Sequence, residues 1–472
     1  MGDFRGWLAP AVRMRYPEGQ RSLTYENVLM GVVLSPQGNE ATMRTMYLCI
    51  VIEETALPTR EEIEEIMRLS TDLAHQSPDR ILLGKSSVPH KLRPFIARQV
   101  ALAERQWHKF PSLAKCPFFL PTERAFEQAS GEPLARHKQR YVMPETILMD
   151  GTGGLGIDFL FMSAGARQAD YYEQDQLPYL AACRNLPLAL SALFPSAHAE
   201  ALMLHQGNSL EALEQMEFSA DQLLYFDPAR RTAQGQRTFL LRDIVPNPLD
   251  IVRCLAEKHY PGRLLFKLSP MMDIAELLRL LPQATHIAVM ATGSEVKELL
   301  LYIASLTVQP LLAQEVPLHL YLYPEEGGEP FSLSLRSGDE QQAEPLMAEQ
   351  VGAWLYLPHA ALLKAGAFKW LSAHYGVRKL AKDSHLYTSD RRVNSFPGRI
   401  YHVEEVIPWK SRTAKELKKR LPEADLTVKN FPLSRADLYR TLGIPPGSAH
   451  RIIATRIGST PILSVVTPDK IG

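Results

Sequence analysis

Thirteen residues, Thr146-Ile-Leu-Met-Asp-Gly-Thr-Gly-Gly-Leu-Gly-Ile-Asp158, constrain the fold more than any other stretch of the chain. Ile147, Leu148 and Met149 have the continuous apolar character of a strand buried on both faces, and Ile157, Phe159, Leu160 and Phe161 recur at helical spacing. Between the two runs stand a carboxylate, Asp150, and four glycines, Gly151, Gly153, Gly154 and Gly156. Glycines in a turn from strand to helix let the backbone approach a ligand at the helix N-terminus. The stretch therefore predicts an open α/β sheet with a nucleotide-type ligand at its carboxyl edge.

Two ligands fit the letters. Gly151-Thr152-Gly153-Gly154-Leu-Gly156 satisfies the G-x-G-x-x-G dinucleotide fingerprint, which is weak alone because glycine-rich turns of this kind are common. The alternative is S-adenosylmethionine, whose ammonium group suits a carboxylate closing the strand. A dinucleotide pyrophosphate beside Asp150 would be repelled, so Asp150 favours S-adenosylmethionine. A glycine turn that binds nothing is the third reading.

Elements then alternate at the rhythm of a doubly wound sheet. A short strand from Ala169 to Tyr172 ends at Glu173, 20 residues after Gly153, where an acid can bind the two ribose hydroxyls of either cofactor. A helix is expected from Gln176 to Leu190, interrupted at Asn185 and Pro187. After a strand at Ala201 to Leu204, Asn208 offers an amide suited to an adenine edge; it also fits an ordinary turn. A fourth strand, Leu223 to Phe226, delivers Asp227-Pro-Ala-Arg230-Arg231 to the same edge. Strands at Leu264 to Leu268, His286 to Met290 and Pro317 to Tyr323 complete the core, with a helix expected over Ser294 to Ile303. Residues 324–350 read as a linker by their Glu, Gly and Ser content.

Ahead of the core, Asn27 to Leu34 and Met46 to Ile52 are strand-like, Thr59-Arg-Glu-Glu62 is a capping box, and a second helix is expected from Lys91 to Lys109. Beyond it, Leu355 to Tyr387 reads as helix-rich α/β structure and the last seventy residues as βαβαββ. Charge separates along the chain. From Val351 onward 20 Lys plus Arg stand against 9 Asp plus Glu, a net of +11; since the whole chain sums to zero, the first 350 residues carry −11. A basic final third, with Lys415, Lys418, Lys419 and Arg420 on one helix, suits a polyanion. Cys49, Cys116, Cys183 and Cys254 are too scattered for a zinc knuckle or disulfide framework, and no apolar run reaches the ~20 residues of a membrane span. A reduced, cytoplasmic setting without metal or membrane is expected.

Several segments together resemble bacterial class I S-adenosylmethionine-dependent methyltransferases with a C-terminal THUMP-like domain. They are Gln128-x-Ser130-x-Glu132, Asp150 to Asp158, Asp227-Pro-Ala-Arg-Arg231, Lys267-Leu-Ser-Pro270, Glu295-Val-Lys-Glu298, Lys364-Ala-Gly-Ala-Phe368, Ser384 to Ser389, Phe396-Pro-Gly-Arg399 and Val428 to Ser434. The resemblance covers about residues 70 to 472. It implies a Rossmann-like core at 141–323; a helical region (58–140) is expected before it, and residues 1–57, which the resemblance does not reach, are read as an extension. Past the linker it implies an α/β ferredoxin-like segment (351–396) and a THUMP-like domain (397–472). Asp150, Gly151, Thr152, Gly153, Gly154, Gly156, Glu173, Asn208 and Asp227 would hold the cofactor. Asp227 would orient or deprotonate the acceptor, with Arg230 and Arg231 on an acceptor phosphate or carboxylate. Enzymes that methylate base amines usually carry two prolines and an aromatic residue where this chain has Pro228, Ala229 and Arg230. RNA methylation is the leading expectation; methylation of a protein or small metabolite, with the basic domain as a dock, is the second, and a nicotinamide dehydrogenase the third.

Overall fold

The computed structural model describes residues 57–84, 88–197, 201–229, 241–325, 328–410 and 412–469, and the backbone alone of 28–33 and 46–51. The chain divides after Ala101 into two compact units. In the first, β1 (Val28–Val33) pairs antiparallel with β2 (Met46–Val51), the two strand-like runs of the sequence. Helix α1 (Arg60–Asp72) opens on the expected capping box: the Glu62 N–H donates to Thr59 Oγ1 at 3.2 Å, and the Thr59 N–H donates to Glu62 Oε2 at 2.8 Å. Helix α2 (Pro78–Leu83) follows, and α3 (Arg93–Lys109) carries the chain into the second unit.

There, α4 (Glu123–Gln128) and α5 (Glu132–Lys138) precede a run of strands and helices: β3 (Ile147–Asp150), α6 (Ile157–Ser163), β4 (Gln168–Glu173), α7 (Gln176–Leu193), β5 (Leu202–Gln206), α8 (Ser209–Gln215), β6 (Gln222–Phe226), α9 (Pro248–Glu257), β7 (Arg263–Leu268), α10 (Ile274–Leu280), β8 (His286–Thr292), β9 (Glu295–Ile303), β10 (Pro317–Tyr323) and β11 (Phe331–Arg336). These strands form one sheet in the order β11-β10-β8-β9-β7-β6-β3-β4-β5. Strands β3 to β7 run parallel, and β9 lies antiparallel between β7 and β8. Counted from β3, the first seven core strands stand 3-2-1-4-5-7-6. The order reverses between β3 and β6, and open sheets of this kind take their ligands at the carboxyl ends of the strands flanking such a reversal.

Three expectations fail. Within the helix expected over Ser294 to Ile303, residues Glu295–Ile303 form strand β9. Because β9 is a central strand, Leu299, Leu300 and Leu301 are all buried and show no alternation, so periodicity could not tell the two apart. The usable signal is the two-residue turn Gly293-Ser294, with Gly293 at φ +58°, which joins β8 to β9 as a hairpin. The 324–350 stretch, read as a linker, contains β11, which pairs antiparallel with β10 and extends the sheet. Helix α7 also continues through Pro187, while the buried Asn185 side chain accepts from Phe119 N and donates to Phe119 O, each at 2.9 Å.

After α11 (Asp339–Gln342) come β12 (Trp354–Pro358), α12 (Ala360–Lys364), α13 (Phe368–Tyr375), β13 (Arg378–Lys379) and β14 (Tyr387–Ser389). The final unit, β15 (Gly398–Pro408), α14 (Thr413–Arg420), β16 (Asp425–Val428), α15 (Arg435–Leu442), β17 (Arg451–Ile457) and β18 (Thr460–Pro468), has the expected βαβαββ order. All its strands join one seven-stranded sheet, β13-β14-β12-β15-β18-β17-β16. Helix α12 packs on β8, β9 and β10, and Ala361, Leu362, Leu371 and Tyr387 share a hydrophobic core with Ile287, Val289 and Leu301.

Candidate active site

Asp150 is the last residue of β3 and is 2% exposed. Its Oδ1 accepts the Thr152 N–H at 2.9 Å and the Thr152 hydroxyl at 3.2 Å. Burial pushes the carboxyl up to about 7, against the pull of the Thr152 N–H and with the help of the nearby Asp158 and Asp227 charges. The glycines divide by what surrounds them. A Cβ on Gly151 would lie 2.2 Å from the Phe226 ring, and one on Gly153 would lie 2.5 Å from the Tyr171 ring, so strands β6 and β4 demand glycine there. Gly154 differs: its φ is +61°, and a Cβ would meet only Thr152 O at 3.7 Å. Its open side is where a ligand has room.

Glu173 closes β4 beside that glycine, its Oε2 accepting the Gly154 N–H and its Oε1 the Asp175 N–H, both at 2.8 Å. Burial raises its carboxyl, and each oxygen keeps a lone pair for a ligand hydroxyl. Asn208 caps α8: its Oδ1 accepts the Leu210 N–H at 3.0 Å and its Nδ2 donates to Glu211 at 3.1 Å. Next to it, the Ser209 hydroxyl donates to Gly151 O at 2.7 Å and ties the helix to the turn, a contact that nothing in the local sequence signals. Two carboxylates closing adjacent strands, with open backbone between them at Gly154, fit a ligand with a cationic group at one end and vicinal hydroxyls at the other. S-adenosylmethionine has that form.

Asp227 follows β6. Its backbone N–H donates to Thr152 Oγ1 at 2.6 Å and its Oδ2 pairs with Lys267 Nζ at 2.5 Å, yet the side chain stays 38% exposed. Burial lifts the Asp227 carboxyl and Lys267 opposes the lift. Burial alone would lower Lys267, but Asp227, Asp158 and Glu298 outweigh it and hold the ammonium well above the ordinary lysine range. Behind this pair lies a buried network. Asp158 accepts from Tyr225 OH at 2.7 Å and pairs with Lys138 at 3.0 Å and Lys267 at 3.4 Å. Lys138, whose side chain is fully buried, pairs also with Glu298 at 2.5 Å. The Ser130 hydroxyl lies within 3.2 Å of both lysines, 2.9 Å from Asp158 and 3.1 Å from Glu298.

Five of the segments that carry the family resemblance therefore meet in space through Ser130, Asp158, Asp227, Lys267 and Glu298. A sixth reaches the same neighbourhood, because Lys364 Nζ donates to Met272 O in the loop after β7. Lys138 had no assigned role in the sequence; its signal is a lysine in phase with the buried Leu134 and Ala135 of α5. Arg230 and Arg231 lie outside the described residues.

Family models match three regions: residues 58–102 match an N-terminal domain of candidate methyltransferases, 354–397 a ferredoxin-like domain, and 398–468 a THUMP-like domain. Among solved structures, a candidate methyltransferase from Porphyromonas gingivalis W83 is 32% identical, with a TM-score of 0.78, over 88% of this chain and 100% of that one. An uncharacterised S-adenosylmethionine-dependent methyltransferase of Mycobacterium tuberculosis is 24% identical over 374 residues, which span 78% of this chain and 93% of that protein.

Proposed function

The chain belongs to the class I S-adenosylmethionine-dependent methyltransferases with a C-terminal THUMP-like domain, and on that premise we propose that it methylates RNA. The observation that carries the proposal is the charge of the final third. The +11 excess from Val351 onward includes Lys415, Lys418 and Lys419 on α14, which form no ion pair among the described residues. The neighbouring arginines are held internally: Arg420 by Glu405, Arg435 and Arg451 by Asp425, and Arg440 by Asp437. Flexible, unpaired lysines are suited to phosphates, and the THUMP-like match lends the same direction.

When bound, the cofactor supplies a methyl group already activated by its sulfonium charge, so the protein mainly positions the partners. In our reading Asp150 takes the cofactor ammonium, Glu173 its ribose hydroxyls and Asn208 its adenine. The turn glycines and Thr152 shape the cradle. Asp227 aligns the acceptor with Oδ1 while Lys267 fixes Oδ2, and Arg230 and Arg231 take an acceptor phosphate.

Incubation with tritiated S-adenosylmethionine and separated RNA, protein and metabolite fractions should place the label in RNA. Label confined to protein or metabolites would replace this reading with the docking one. Binding of the full-length chain to tRNA and rRNA fragments should weaken by powers of ten between about 50 and 200 mM salt if six or more phosphates are engaged. Reversing the three α14 lysines to glutamate should flatten that slope, and an unchanged slope would remove α14 from the interface.

Asp150 gives the cofactor site a pH signature. An ammonium pairs with the ionised carboxylate, so a group titrating at about 7 must first lose its proton below that pH. Cofactor affinity should rise with pH up to about 7 and then level off, falling about tenfold from pH 8 to pH 6. Asp150→Asn should bind more weakly and without this dependence. A flat profile for the parent, measured by calorimetry, would separate Asp150 from the ammonium.

A further inference from the structure

Thr152 stands between the two carboxylates that serve opposite sides of the site. Its Oγ1 donates to Asp150 Oδ1 at 3.2 Å and accepts the Asp227 N–H at 2.6 Å, while its own N–H also donates to Asp150 Oδ1 at 2.9 Å. The directions are set by chemistry. A backbone N–H can only donate, so the hydroxyl receives from Asp227 and its single proton is left for the Asp150 oxygen. Hydrogen bonds in such a chain polarise one another: a more negative Asp150 draws the hydroxyl proton more strongly and makes Oγ1 a better acceptor for the Asp227 N–H. Downstream of Asp227 the chain is also held, by paired backbone bonds between Ala229 and Val245 at 2.7 and 3.1 Å. The Asp227 side chain is fixed by Lys267. Of these restraints among the described residues, the Thr152 bond is the one that leads to the cofactor side.

We propose that Thr152 is a positioning residue that couples occupancy of the cofactor ammonium site to the placement of Asp227, so that the cofactor sets the acceptor-side carboxylate before the acceptor arrives. The proposal rests on the roles given above to Asp150 and Asp227, and it does not depend on what the acceptor is. It implies an order of events: the acceptor meets an aligned carboxylate only when the donor is already in place. The charged and titratable groups facing Asp150 are Asp158 of α6, Asp227 after β6, Tyr171 of β4 and Tyr225 of β6; burial holds both tyrosines well above their ordinary range, so they stay neutral. The hydroxyl of Thr152 is therefore a donor to Asp150 that substitution can remove without moving a charge.

The test uses S-adenosylhomocysteine, which keeps the ammonium, and needs no acceptor. At about pH 6, where Asp150 is largely protonated until the ammonium binds, hydrogen–deuterium exchange of the Asp227 amide should slow about tenfold or more on addition of S-adenosylhomocysteine in the parent and in Thr152→Ser, and should not respond in Thr152→Val. The pH midpoint of S-adenosylhomocysteine affinity should stand about one pH unit higher in Thr152→Val, because Asp150 ionises less readily without the hydroxyl donor, and should be restored in Thr152→Ser. Loss of stability alone would move neither quantity in this pattern. An Asp227 amide that ignores S-adenosylhomocysteine in the parent, or that responds equally in Thr152→Val, overturns the coupling. Failure of the parent to bind S-adenosylhomocysteine would overturn the coupling together with its premise, whereas failure to methylate RNA would touch neither.

Discussion

Replacing Lys138 by methionine is expected to destabilise the protein by about 3 to 5 kcal/mol, the usual cost of leaving a buried charge without its partner. Lys138 is fully buried and neutralises two carboxylates on different elements, Asp158 at 3.0 Å and Glu298 at 2.5 Å. Methionine keeps most of the volume, so the loss reports charge and hydrogen bonding more than packing. At roughly 2 to 4 °C per kcal/mol for a unit of this size, the melting temperature should fall by about 6 to 20 °C. The double substitution Lys138→Met with Glu298→Gln should recover part of the loss, because it removes one of the stranded charges. A decrease under about 1 kcal/mol would mean that the network is not held by this lysine. Asp158 sets the pH side of the same experiment. Although burial acts to raise it, Lys138 and Lys267 hold its carboxyl well below the usual range. With a depressed folded value, its contribution is fully present above about pH 4 and is lost as the pH falls below that. Acid unfolding of the parent should therefore be partly a titration of Asp158, and Asp158→Asn should blunt it.

The second large effect is expected at Asp227. Asp227→Asn keeps an acceptor oxygen and removes the charge, and Asp227→Ala removes both; the backbone N–H that binds Thr152 survives in each. If Asp227 only orients the acceptor, the Asn variant should retain a good part of the rate of label transfer into the fraction that the parent methylates. If it must take a proton, Asn should resemble Ala, with a loss of about a hundredfold or more. Affinity for S-adenosylhomocysteine should hardly change. Lys267 retains Asp158 and Ser130 when Asp227 is truncated, so the melting temperature should move far less than in Lys138→Met. Stable variants that transfer label at the parent rate would remove Asp227 from the chemistry.

The meeting of Asp150, the turn glycines and Glu173 was legible in the sequence because its logic is local. Asp150, the glycines and Glu173 occupy one strand–turn–helix–strand segment, and the spacing between them fixes where they meet. Three of the glycines carry a meaning the spacing could not give: Gly151, Gly153 and Gly156 are small because Phe226, Tyr171 and Leu186 press on the turn. The buried network was not legible in the same way. Lys138 and Glu298 are 160 residues apart, and only closure of the sheet brings them together. The resemblance marked most of its members one segment at a time and was silent on their contact. Strand β9 was misread for a related reason, since burial on both faces erases the alternation by which a strand is recognised.

The seam between β12 and β15 runs over five residue pairs, from Trp354 opposite His402 to Pro358 opposite Gly398, so the ferredoxin-like and THUMP-like modules share one continuous ladder. Gene trimming at the junction near residue 397, natural or engineered, would strip β12 of a partner and expose a raw strand edge, the kind of surface that invites aggregation. The two modules thus share one sheet and depend on each other for its edge. Because α12 in turn packs on β8, β9 and β10, the tail is mortised into the catalytic sheet and does not trail from it on a tether.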